Sequence, residues 1–91
     1  MSKLHKDIPR MVRIINIVEQ YNNFKQLGAE EDIKLIRERI NNLKSIKNTE
    51  ELIIEFKWCV KMCNMYYDEI DSDFKSQILK EELERELLDF S

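Results

Sequence analysis

Cys59 and Cys63 stand four residues apart, and the chain's one histidine is His5. Two thiolates at this spacing share a helix face and can reach one metal ion. A closed zinc site needs four ligands, however, and no further ligand-rich segment accompanies the pair. Buried free cysteine packs as a small hydrophobe, so the expectation is a core role with no metal and no cofactor. A redox role asks for an electropositive, exposed setting, and Phe56, Val60 and Tyr66 do not describe one. The remaining acid–base candidates are 18 carboxylates, of which no two are marked out by an apolar pocket pattern. Arg37 and Arg39 flank Glu38 and fall on opposite edges of an apolar stripe, as snorkelling side chains do. No HExxH, no GxSxG and no glycine-rich phosphate loop occurs. These residues point away from an enzyme.

Apolar surface in excess of one core stripe is the stronger signal. Ile54, Trp58, Met62 and Met65 recur at i, i+4, i+8 and i+11. At 100° per residue they fall within about 80° of one another, away from a second stripe through Phe56 and Cys63. A helix apolar on two sides lies between neighbours or meets a partner, and Trp and Met are enriched in interface cores. Leu79, Leu83, Leu87 and Phe90 repeat the same spacing near the C-terminus. The first reading is that the two stripes pack antiparallel within one molecule. The others are a homodimer through one of them and a foreign partner. Phe74, Ile78 and Leu88 form a further ridge among Glu81, Glu82, Glu84, Glu86 and Asp89, so the C-terminal segment reads as an acidic helix.

The elements that carry these stripes follow from periodicity and caps. One glycine, Gly28, and one proline, Pro9, among 91 residues argue against β-folds and phosphate-cradling loops. Asp7 reads as an N-cap ahead of Pro9 in a first turn. Met11, Ile14, Ile15, Val18 and Tyr21 then mark helix one, which should stop between Phe24 and Leu27 with Gly28 supplying the left-handed closure. Glu30, Glu31 and Asp32 open helix two in keeping with the helix dipole. Ile33, Ile36, Ile40 and Leu43 carry it to about Lys47, with Leu35 and Ile46 at the margin. Asn48 and Glu51 have capping-box spacing for helix three, whose stripe is Leu52, Phe56, Cys59, Cys63, Tyr66 and Ile70. Asp71-Ser72-Asp73 is the expected break before helix four, residues 73–89. The fold class is therefore all-α, one domain over 1–91: three long helices and a shorter acidic fourth, in a helical bundle.

Charge is polarised along the chain. The formal total is −3, distributed as +3 over residues 1–28, +1 over 29–48 and −7 over 49–91. An acidic second half suits a partner with a basic surface. The opposite reading, a nucleic-acid-binding regulator, rests on Lys3, Lys6, Arg10 and Arg13, a small patch with no aromatic stacking platform. No apolar run spans a membrane, the first residues lack a signal-peptide h-region, and two cysteines suit a reducing cytoplasm. Twelve isoleucines, ten lysines and seven asparagines suggest AT-rich coding DNA, of a low-GC bacterium, a phage or a mobile element. The expectation is a small protein-binding regulator or inhibitor that occludes a partner. Ile54, Trp58, Met62 and Met65 would supply the apolar contact, joined by Glu82, Glu86 and Leu87 from the last helix.

Overall fold

The computed structural model describes residues 3–88, with side chains from His5 onward. Every regular element among them is helical. A 3-10 turn over Lys3–Asp7 leads into α1 (Ile8–Lys25); α2 (Glu30–Asn42) ends in a second 3-10 turn, Leu43–Ser45; α3 (Thr49–Asp68) and α4 (Phe74–Leu88) follow. The expected all-α bundle is what forms, but the helix lengths differ. At 13 residues α2 is shorter than α4 at 15. The cause is local, since the chain tightens at Leu43 and Ile46 turns extended. Leu43 stays fully buried through the tightening, so the apolar period outlasts the α-helix.

Helix α1 is the centre of the bundle, touching α2, α3 and α4. Its Met11, Ile14, Ile15 and Val18 are buried with Ile33, Ile36 and Ile40 of α2, Leu52, Phe56, Cys59 and Cys63 of α3, and Leu79 and Leu83 of α4. The molecule is a flattened slab, 41 × 26 × 16 Å along its principal axes. Helix axes pack about 8–10 Å apart, so the thin direction has room for two layers of helices and not three. Each helix then buries one face and leaves its outer side to solvent.

The boundaries are made by particular contacts. Asp7 provides no side-chain cap, because the chain arrives already coiled in the 3-10 turn, with Asp7 itself in right-handed helical conformation. Helix α1 closes on Gln26, which takes the left-handed conformation (φ 54°) and donates its N–H to the Asn22 carbonyl. Gly28, also left-handed at φ 73°, redirects the chain two residues later instead of closing the helix. Buried Asn22 holds this turn: its Oδ1 accepts the Ala29 N–H at 2.9 Å, at the entrance to α2. Asn48 caps α3 as its spacing predicts, accepting the Glu51 N–H at 3.1 Å.

The glycine-free junction between α3 and α4 is a true break. Asp73 caps α4, its two carboxylate oxygens accepting from the Ser76 N–H at 3.1 Å and the Ser76 hydroxyl at 2.8 Å. The end of α1 supplies the rest. The Tyr21 hydroxyl accepts the Asp71 N–H at 3.0 Å, and Lys25 Nζ lies 2.6 Å from Asp73 and 3.4 Å from Asp71. Lys25 and Ser76 together hold the Asp73 carboxyl down at about 2, and the two aspartates raise the Lys25 ammonium above its ordinary value.

Candidate protein-binding face

On α3, the side carrying Ile54, Trp58, Met62 and Met65 turns toward α2, not α4. The Arg39 guanidinium of α2 lies over the Trp58 ring, 4.7 Å from its centroid, and reaches Glu55 at 3.1 Å. Met62 and Met65 line one groove with Leu27, Ala29, Asp32, Tyr66 and Glu69. Ile54 lines a second with Ile46, Asn42, Arg39, Glu51 and Glu55. The antiparallel pairing of this stripe with Leu79, Leu83 and Leu87 does not occur, and Phe90 lies outside the described residues. The reason is angular. Leu79 and Leu83 are consumed by the core against α1, while α4 meets α3 on its other flank, where Tyr67 and Asn64 stand beside Glu84, Leu87 and Leu88.

Much of the stripe stays in contact with solvent. Ile54 is 66 % exposed and Met65 51 %, while Trp58 and Met62 are half-buried against the core. Sequence reading missed two companions: Leu27 at 50 % exposure and Leu35 at 47 %. Leu35 sits one helical turn from both Asp32 and Arg39, the groove-side residues of α2, so its spacing carried the signal. Leu27 belongs to the α1–α2 turn, where no periodicity applies. The result is an apolar strip along the α2–α3 seam. The grooves on it are lined by four carboxylates, Asp32, Glu51, Glu55 and Glu69, and by one guanidinium, Arg39. Lys57 and Lys61 follow on the solvent side of α3.

The other proposed contact residues lie elsewhere. Glu82 and Glu86 line a groove between α1 and α4 with Arg13, Asn16, Ile17, Gln20 and Arg85. Leu87 is half-buried on the α3 side of α4. The seven residues therefore occupy three places, because α4 divides its own side chains between two neighbours. Arg13 donates from Nε and Nη2 to the two Glu86 oxygens at 3.2 and 3.4 Å. A residue of the basic patch is thus the partner of a residue of the acidic surface. Lys6 is exposed, Arg10 is half-buried, and the side chain of Lys3 lies outside the described residues. Arg37 leaves the opposite edge of α2 for Asn16 at 3.0 Å and Glu19 at 3.3 Å on α1.

Cys59 and Cys63 are fully buried free thiols. Burial pushes Cys59 up to about 11 and Cys63 up to about 12. Both stay protonated at neutral pH and are poor nucleophiles. Among the described residues no three His, Cys, Asp or Glu side chains converge as a metal site, and no helix is long and apolar enough to cross a membrane. No protein-family model, curated protein or solved structure matches this chain.

Proposed function

We propose that this is a non-enzymatic protein-binding module, a regulator or inhibitor that covers a basic functional surface of its partner in a reducing cytoplasm. The observation that carries the reading is the apolar strip of the α2–α3 seam, with Ile54, Met65, Leu27 and Leu35 open to solvent around half-buried Trp58 and Met62. Isolated surface hydrophobes need no explanation, but exposed apolar residues gathered along one seam among charged side chains resemble an interaction site. Trp58 is the natural anchor by size, half-buried in the strip with the Arg39 guanidinium over its ring. Met62 and Met65 add side chains that adapt to a partner's shape. Occlusion requires nothing further, since a bound slab would screen whatever basic site lies under it.

The test is affinity capture from cells that encode the protein, followed by titration of the identified partner with Trp58→Ala. A central anchor is worth about 2 kcal/mol or more when truncated, so the variant should bind about thirtyfold more weakly. The double variant Ile54→Ser/Met65→Ser, altered only at exposed positions, should also lose affinity without losing helicity. Full affinity in both variants would remove the seam as the binding site.

A further inference from the structure

The seam has a charge pattern that says which kind of partner fits it. Resting on the protein-binding reading above, we infer that its occupant is a foreign amphipathic helix of about five turns, apolar in the middle and basic at both ends, and not a second copy of this chain. The lengths come from α3 itself. Ile54 to Met65 spans about 17 Å of helix axis, and Glu51 to Glu69 about 27 Å. In the middle of the strip Arg39 neutralises Glu55 and stacks on the Trp58 ring, and exposed Lys61 stands on the same side of α3, so no net negative charge is left there. Exposed carboxylates remain at the two ends, Glu51 beside Ile54 and Glu69 with Asp32 beside Met65. A helix laid along the seam would present apolar anchors at i, i+4, i+7 and i+11 to the strip, the usual helix-in-groove pattern, and cations to its ends.

A second copy meets the opposite situation. Packed antiparallel so that Ile54 faces Met65 and Trp58 faces Met62, two α3 helices bring Glu51 opposite Glu69 at both ends. The same arrangement places Lys61 beside its own copy. Like charges repel at each of these positions, so the pattern that attracts a basic helix disfavours the homodimer.

Two synthetic helical peptides test this: one with leucine anchors in the middle and lysines at both ends, and its twin with glutamate in place of every lysine. Trp58 is the only tryptophan, so its emission reports occupation of the seam. The basic peptide should shift that emission and bind about tenfold or more tighter than the acidic one at low salt, with the gap narrowing as salt rises. In Glu51→Lys/Glu69→Lys the preference should reverse. Equal binding of both peptides, lost in Ile54→Ser/Met65→Ser, would overturn the charge assignment while leaving the seam as a binding face. Binding of the basic peptide unchanged in that double variant would place it elsewhere and remove both readings. Failure of the basic peptide to bind at millimolar concentration, or a dimer in sedimentation that Met65→Ser dissolves, would overturn the inference.

Discussion

Asn22 shows how much one polar side chain can fix in this molecule. It is buried, and its Oδ1 is the acceptor for the Ala29 N–H while its own carbonyl takes the N–H groups of Gln26 and Leu27. The whole α1–α2 turn is therefore referred to one residue. Asn22→Ala leaves the Ala29 donor without its acceptor, and a stranded donor costs about 1–3 kcal/mol. Urea unfolding of the variant should show a loss in that range, and a loss under a few tenths would mean that water replaces the side chain freely. Nothing in the sequence singled out Asn22, because a polar residue beside an apolar stripe is the usual state of a helix edge. The cysteines were legible, since i, i+4 placement on the strongest stripe of the chain leaves them nowhere but the core. Their raised thiol pKa values, about 11 and about 12, have a direct consequence. A disulfide-exchange reagent at neutral pH should label neither thiol in the native protein and both in denaturant. Fast native labelling would show that α3 opens to solvent locally.

At the scale of the elements, the question is what holds α4, and magnitudes decide it. Leu83 is 1 % exposed within the core, and truncating such a leucine costs about 2–5 kcal/mol. The Arg13–Glu86 pair is solvent-facing, and exposed ion pairs contribute at most about 1 kcal/mol. Leu83→Ala should therefore lower the unfolding free energy severalfold more than Glu86→Gln in the same denaturant series. Equal losses would mean that α4 is held electrostatically. The start of α4 adds a pH dependence. Asp73 titrates at about 2 in the folded protein against an ordinary 3.8, so its ionised form favours folding. That contribution is complete above about pH 4 and disappears as pH falls toward about 2. Asp73→Asn should flatten this part of the acid unfolding profile, and an unchanged profile would assign the acid sensitivity to other carboxylates. Helix existence was readable from the period of Ile, Leu and Val. Helix ends were readable where local residues form them, at Asn48 and at Asp73, which caps α4 through Ser76. The contacts of Tyr21 and Lys25 that also hold the α3–α4 junction come from about fifty residues away, and no local pattern contains them. The same limit applied to the Trp58 stripe. Its existence was plain in the sequence, but the helix beside it depended on which face of α4 the core consumed first.

For the molecule as a whole, packing sets part of the chain's charge polarity against itself. The basic first helix lies against the acidic last one, and Arg13–Glu86 and Lys25–Asp73 join opposite charges 73 and 48 residues apart. Part of the opposition between the +3 and −7 segments is therefore satisfied within the molecule. With Arg13 engaged by Glu86, a cation field on α1 lacks one of its members, which weakens the case for nucleic acid. Binding through phosphates alone loses affinity steeply with salt. Any electrophoretic shift with duplex or single-stranded DNA should accordingly vanish by about 150 mM salt and show no sequence preference. A sequence-specific shift that survives that salt would restore the basic face as a functional surface. The apolar excess has a geometric origin. In a thin slab each helix keeps an outer side, and the seam between α2 and α3 is one place where apolar residues lie on it. Its rim then decides whether the surplus drives self-association. Carboxylates at both ends of an antiparallel self-match predict a monomer whose sedimentation coefficient does not change from micromolar to submillimolar concentration at low salt. The Glu51→Lys variant should behave differently, because the introduced ammonium would face Glu69 of a copy at both ends. Concentration-dependent dimerisation of Glu51→Lys, absent from the parent chain, is the expected result. Dimerisation of the parent with none in the variant would mean that the carboxylate rim does not govern self-association.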